Sequence, residues 1–311
     1  MLWDDRVGRR LRLKDLHTLQ TVAKVGSMAK AAELLALSQP AISKAIADME
    51  HTLGAPLLDR TSRGVELTDC GHTLVERARV VFDEIRLGVK EIEHRTDPAQ
   101  GEVRIGTTDP ASGIVSEIIS QLARTHPRIT YRVSVSDSDT LERELRERTL
   151  DVLLTGWIRT RVADDLAAEV LYSAPLAVMA DKNHRLFARK KVKLADLMEE
   201  RWTLSPQESF LGRMVVDAFR RRGLQLPPAL VTTTSTHLRL NLLANGGFLT
   251  VLPTGMLRQR SNRAWLRALD FDLCESVQTA LITVKKRRSA GAVKLFQDAS
   301  RAVCREIFDA G

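Results

Sequence analysis

Gln39, Ser43 and Lys44 are spaced so that three polar side chains share one face at the start of a helix. Their chemistry suits the recognition of base edges. A glutamine amide pairs bidentately with adenine, a serine hydroxyl donates or accepts, and a lysine reaches guanine or a phosphate. The local sequence requires the helix. Ser38 stands at the N-cap, and Pro40 falls inside the first turn, where its fixed φ is already helical and its missing N–H costs nothing. Ile42, Ile46, Met49 and Leu53 then recur at steps of four, three and four, and Gly54 closes the helix. The apolar stripe sets the buried side and leaves Ser38, Gln39, Pro40, Ser43 and Lys44 outward.

The preceding residues supply a partner helix. Gly26 ends one helix and Ser27 caps the next, whose small apolar face (Ala31, Ala32, Leu34, Leu35) suits close packing. Met28 to Ala47 thus reads as a helix-turn-helix whose second member can enter a major groove. An ordinary buried helix pair with a wet surface has the same spacing. Before it, Leu16, Leu19, Val22 and Ala23 fall on one stripe of a helix from Lys14 to Val25 that backs the motif. After Gly54, residues 56–68 alternate apolar and polar on either side of Ser62-Arg63-Gly64, which predicts a two-stranded hairpin, a wing. Arg60 and Arg63 lie where such a wing meets the phosphate backbone or the minor groove; a plain surface hairpin explains Arg63 equally.

From Thr68 or Asp69 to about His94 runs a long helical pattern. Leu74, Ala78, Val81, Ile85, Gly88 and Ile92 form an a/d seam, widened by Val75, Phe82 and Val89. A lone helix with such a face must bury it. Residues 96–101, with Pro98 and Gly101 as breakers, read as a hinge.

Beyond the hinge the pattern alternates strand and helix: strands at 103–106, 129–135 and 151–155, helices at 112–125 and 141–148. A parallel sheet covered by helices follows from that alternation. A second set places strands at 168–171, 176–180, 202–204, 231–233 and 248–252, with helices at 210–222 and 237–245 between them. A last strand at 280–284 and a helix at 290–308 return to the first lobe. In open α/β sheets ligands bind beyond the carboxyl ends of strands. Here those ends carry Thr107 and Thr108, Ser136 and Asp137, Thr155 and Trp157, and Ser205 and Gln207. The set reads either as ordinary loop residues or as a site for a small polar effector, a sugar or an organic acid, stacked on Trp157.

Composition narrows the classes. The chain has 311 residues, 44% hydrophobic and 28% charged, ordinary for a soluble globular protein, and no run of eighteen apolar residues. The N-terminus lacks an apolar signal core, which points to the cytoplasm and against an exported solute-binding protein. Net charge is +8, which suits a polyanion partner, yet residues 1–68 hold ten Lys/Arg against eight Asp/Glu. Most of the excess lies at Arg189-Lys190-Lys191, Arg220-Arg221-Arg222 and Lys285-Lys286-Arg287-Arg288, which read as solvated surface, a second DNA contact or an anionic-effector site. Cys70, Cys274 and Cys304 are too scattered for a disulfide framework or a zinc site, and no metal is expected. There is no G-x-S-x-G elbow, phosphate loop, H-E-x-x-H or cysteine beside a base, so an enzyme is not expected.

Residues 11–68 resemble the N-terminal domain of LysR-type transcriptional regulators. Five sub-motifs stand in family order: Leu16 to Ser27, Ala31-Ala32-Glu33, Ser38 to Lys44, Leu53 to Arg60, and Leu67-Thr68 with Gly71. Weaker landmarks follow at His126, Asp151 and Gly246 to Pro253. The resemblance implies an α/β protein: an N-terminal winged helix-turn-helix (11–68), a long linker (dimerisation) helix (69–95), a hinge (96–101), and a two-lobed periplasmic-binding-protein-like α/β effector domain (102–311). Lobe I is expected at about 102–160 and 270–311, lobe II at about 161–269. It further implies pairing of chains through the linker helix, commonly as tetramers, an inverted-repeat operator, contact with RNA polymerase, and a phosphate-contacting role for Arg60. Some members use paired cysteines as oxidant sensors, which makes Cys274 and Cys304 a candidate pair beside the reading as inert thiols. Overall similarity points to the galactose-binding-protein regulator subgroup. Against a sequence-specific regulator stands one alternative, a cytoplasmic small-molecule-binding protein of the solute-binding fold without promoter-specific regulation.

Overall fold

The computed structural model describes residues 8, 10–61, 64–97, 99–157, 164–189, 192–259, 261–289 and 291–308. The chain divides into two units, Met1–Val89 and Lys90–Gly311. In the first, α1 (Leu13–Val25), α2 (Met28–Leu34) and α3 (Gln39–Leu53) are followed by β1 (Leu58–Thr61), β2 (Gly64–Leu67) and α4 (Asp69–Thr96). The expected caps are present. Gly26 and Gly54 adopt left-handed φ of 66° and 73°, Ser27 accepts from the Lys30 N–H, and Ser38 accepts from the Ala41 N–H. Val22, Ala31, Ala32 and Ile42 form one buried cluster, and Leu19, Ile46, Met49, Leu57 and Val75 form another.

The wing is the antiparallel pair β1–β2, with Arg60 opposite Val65. Its attachment uses a residue with no motif signal: Glu50 of α3 accepts from the N–H groups of Leu57 and Leu58 at 2.7 and 3.2 Å. Thr68 then holds the start of α4, donating to the Pro56 carbonyl at 2.7 Å and accepting from the Gly71 N–H at 3.0 Å. Gly71 permits this approach, since a Cβ there would lie 2.1 Å from the Leu57 carbonyl oxygen. Gly71→Ala is therefore expected to destabilise the first unit by about 2–4 kcal/mol, read by denaturant unfolding. A variant as stable as the wild type would show that α4 does not dock here.

The second unit contains β3 (Gln100–Thr107), α5 (Ser112–Thr125), β4 (Arg128–Val135), α6 (Ser138–Arg146), β5 (Val152–Trp157) and β6 (Leu166–Asp181). It continues with α7 (Leu194–Met198), β7 (Arg201–Leu204), α8 (Phe210–Arg221), β8 (Ala229–Thr232), α9 (Thr236–Gly246), β9 (Phe248–Pro253), β10 (Leu266–Val284) and α10 (Ala292–Phe308). The strands are ordered β4-β3-β5-β10-β6-β9-β7-β8. β3 is parallel to β4 and β5, and β7 to β8 and β9. The parallel arrangement expected for the first set, β3, β4 and β5, is present; the two long strands depart from it, β10 running antiparallel to β5 and β6, and β6 antiparallel to β9.

These two long strands also differ from the short ones read in the sequence. Segments 168–171 and 176–180 belong to one strand, whose middle carries Pro175, a residue without the N–H a ladder uses. The final strand starts at Leu266 rather than Ala280, with register shifts between Ala268 and Asp272, Asp272 and Ser276, and Thr279 and Ala280. Each shift breaks the two-residue alternation on which a strand reading depends. The lobe boundaries move accordingly. Leu166 and Ala168 pack with Leu141, Leu145 and Ile282 in the first lobe, while Leu273 and Val277 join Val178, Trp202, Phe219 and Val251 in the second. Gln100 and Gly101, assigned to a hinge, already pair with Arg128 and Ile129 in β3.

Asp151, between α6 and β5, is the charged centre of the first lobe. Its carboxylate accepts from the Arg104 Nη2 and Arg287 Nη2 at 2.8 Å and from the Lys90 Nζ at 3.3 Å. Lys90, near the end of α4, also donates to the Glu102 carbonyl at 2.9 Å. Arg287 is thus a buried partner of Asp151, so this member of the last basic cluster is not solvated surface. Among the described residues no helix is long and apolar enough to cross a membrane.

Candidate nucleic-acid interface and effector crevice

The N-terminal turn of α3 is held from one side and open on the other. Ile42, Ile46 and Met49 are buried, while Ser38, Gln39, Pro40 and Lys44 are exposed and Ser43 is half-buried. Ser38 is engaged as the cap, with its Oγ 3.3 Å from the Ala41 nitrogen, and the polar groups of Gln39 and Lys44 stay exposed beside it. The approach from α2 turns through Ala36 at φ 52°, a left-handed conformation that an alanine does not announce in the sequence. Arg60 lies on β1, but its side chain, like the whole of Arg63, falls outside the described residues.

The seam expected on α4 divides. Ala78 is buried and Leu74 packs against the Leu19, Ile46 and Met49 cluster, so these two serve the chain's own core. Val81, Ile85, Val89 and Ile92 are 40%, 45%, 48% and 66% exposed, and a Cβ at Gly88 would meet nothing within 4 Å. The remaining face is an apolar stripe in water, one residue longer than the seam residues alone because Val89 joins it.

In the second unit the ends of β3 and β5 bring three of the expected hydroxyls together. Thr108 and Thr155 lie 3.1 Å apart, Oγ1 to Oγ1, and Thr107 Oγ1 donates to the Leu154 carbonyl at 2.8 Å inside the sheet. Ser136 donates its N–H to the Thr107 carbonyl at 3.3 Å. Asp137 is the N-cap of α6, accepting from the Thr140 N–H at 2.9 Å, and that bond holds its carboxyl below the ordinary range. Its carboxylate is committed to the cap. Ser205 is buried after β7 and Gln207 is exposed, while the side chain of Trp157 lies outside the described residues. Cys304 is buried in the first-lobe core and Cys70 is exposed; the side chain of Cys274 lies outside the described residues.

Where the two lobes meet, Asp109, which closes the first strand's Thr107-Thr108-Asp109-Pro110 end, is joined by two residues the sequence did not single out, Thr236 and Arg239. Asp109, in the 3-10 turn after β3 (Asp109–Ala111), accepts through Oδ2 from the N–H of Thr236, the first residue of α9. Arg239, one turn along α9, is 1% exposed and donates from Nη2 to Thr236 Oγ1 at 3.2 Å. The available signal was that Arg239 falls on the buried stripe of α9 with Thr236 and Leu243, where a charged residue is out of place.

Comparison with known proteins agrees with both halves. Residues 13–72 match the family described as bacterial regulatory helix-turn-helix protein, lysR family, and residues 96–305 match the LysR substrate binding domain. Among curated relatives, HTH-type transcriptional regulator GbpR of Rhizobium radiobacter is 30% identical over 241 residues, covering 75% of this chain and 78% of that protein. The uncharacterized HTH-type transcriptional regulator YdcI of Escherichia coli is 28% identical over 263 residues, covering 84% and 85%. Identity at this level to both does not separate a GbpR subgroup from the rest. In fold, a full-length OxyR variant from Pseudomonas aeruginosa matches with a TM-score of 0.66 at 18% identity, covering 96% of each chain. Full-length CbnR complexed with its target DNA matches with a TM-score of 0.62 at 22% identity, covering 94% and 100%. The chain belongs to the LysR family of transcriptional regulators, with a helix-turn-helix DNA-binding domain followed by an effector-binding domain.

Proposed function

We propose that this regulator is a cytoplasmic protein that acts by sequence-specific contact of α3 with the major groove, as a symmetric pair of chains on an inverted-repeat operator. The observation that carries the reading is the open first turn of α3, where Gln39 and Lys44 are exposed and Ser43 is half-buried while Ile42 and Ile46 are buried. The exposed stripe Val81, Ile85, Val89 and Ile92 supports pairing through α4, and tetramers would join two such pairs. RNA polymerase is the expected further partner. The crevice beyond β3 and β5 takes a small polar effector, a sugar or organic acid, without metal, cofactor or turnover. Such a ligand changes DNA binding only by favouring one of two arrangements of the effector domain over the other.

Quantitative binding to an operator selected by the full chain from random duplexes tests the interface. Gln39→Ala is expected to cost about 1–3 kcal/mol and to relax base preference at one position of each half-site. Lys44→Ala, if the lysine reaches a phosphate, weakens binding evenly across sequences and lowers the salt slope by about one. Two variants with wild-type affinity, footprint and salt slope would remove α3 from the interface.

A further inference from the structure

We propose that the crevice is built for an anion: the effector carries a carboxylate or similar oxyanion that docks at the start of α9 against Arg239, in the place that the Asp109 carboxylate now occupies. The proposal rests on the reading that the effector binds between the lobes, and it specifies the effector's charge.

Arg239 is the reason. Its guanidinium has five N–H donors, yet among the described residues Nη2 alone finds a partner, the Thr236 hydroxyl, while Nε and Nη1 are buried without one. Leaving buried charged donors unpaired is among the costlier arrangements a fold can hold. Burial lowers the arginine's pKa to about 10, with the nearby Asp109 charge opposing, so the group stays cationic at neutral pH. The side chain turns back toward the first turn of α9, where the Thr236 N–H and the helix dipole also favour negative charge.

Asp109 shows that a carboxylate fits there. It comes from the first lobe, caps the Thr236 N–H, and still leaves Arg239 Nε and Nη1 unsatisfied. A free oxyanion is not tethered to a turn and can present two oxygens to the guanidinium fork. A neutral sugar's oxygens could accept from these nitrogens one at a time, but without the charge assistance or the fork match a carboxylate brings. Exchange of Asp109 for a ligand oxyanion would also release a hydrogen bond between the lobes, the kind of local change that biases one arrangement over another.

The test uses the full chain and matched probes at constant ionic strength: sodium sulfate, succinate and gluconate against succinamide and glucose. Calorimetric titration and thermal shift are read on wild type, Asp109→Asn, Arg239→Lys and Arg239→Gln. The oxyanions should bind and their neutral counterparts should not. Asp109→Asn, which removes the internal competitor, should tighten oxyanion binding about tenfold. Arg239→Gln should weaken it by about thirtyfold or more, and Arg239→Lys less. Should Arg239→Gln fail to fold, the Asp109→Asn comparison decides alone. Absence of oxyanion binding to Asp109→Asn, or equal binding of acids and neutral partners, overturns the proposal. Hydrogen exchange separates this from the underlying reading. A neutral probe that protects residues 107–109 and 155–156 removes the anion and keeps the crevice, whereas an oxyanion that protects neither these nor residues 235–239 removes both.

Discussion

Asp151→Ala is expected to destabilise the effector domain by about 3–5 kcal/mol, a fall of roughly 10 °C in melting temperature. The carboxylate is nearly inaccessible and faces Arg104, Arg287 and Lys90, so its removal takes away the anion these three cations share and leaves a cavity at its place. Burial alone would raise the Asp151 pKa, but the hydrogen bond from Arg104 and the charges of Lys90, Arg104 and Arg287 outweigh it and hold the carboxyl well below its ordinary range. The sign of the pH dependence follows. A depressed native pKa gives stability that is complete above the unfolded value, about 4, and is lost as pH falls toward the native value. Denaturant midpoints of the wild type should therefore fall between about pH 4 and pH 2, and those of Asp151→Asn should fall less over the same range. Equal slopes for the two proteins would mean that Asp151 is not the paired centre.

The second large effect concerns α4. Val81→Asp with Ile85→Asp should leave the monomer folded, since both positions are substantially exposed in a single chain, and should abolish pairing by placing carboxylates in the buried seam. Loss of the paired state removes simultaneous engagement of two half-sites, so operator affinity should drop by about 10²–10⁴. Sedimentation and operator titration read the two consequences separately. A double variant that still forms dimers would place the pairing surface elsewhere.

The first unit was legible because its signals are local. Ser27, Ser38, Pro40, Gly26 and Gly54 act within one helical turn, and the stripe through Ile42, Ile46 and Met49 needs no knowledge of distant chain. Glu50 escaped notice because its partners, the Leu57 and Leu58 N–H groups, lie across a turn that only the fold brings back. On α4 a single heptad pattern encoded two tasks. Leu74 and Ala78 are claimed by the chain's own core while Val81 onward stays open, and periodicity does not distinguish an internal neighbour from a second copy.

In the effector domain the elements read correctly where the local pattern is unbroken, as in the helical stripe of α5 and the continuous apolar run of β9. They failed where Pro175 and the bulges of β10 interrupt it, and with them the direction of the two crossing strands was lost. The hydroxyls at the ends of β3 and β5 could be found from strand ends alone, and Thr108 with Thr155 do meet. Asp109 closes one of those strand ends, but Arg239 could not be found this way, because it lies 130 positions on and its proximity to Asp109 is a property of lobe packing.

The central claim is that the outward turn of α3 reads base sequence, and selection from a pool of random duplexes by the full chain tests it most directly. Wild type should enrich an inverted repeat with half-sites about one helical turn apart, and Gln39→Ala should enrich the same repeat with one position per half-site relaxed. Enrichment of no common sequence, or of the identical sequence by both proteins, would contradict the account.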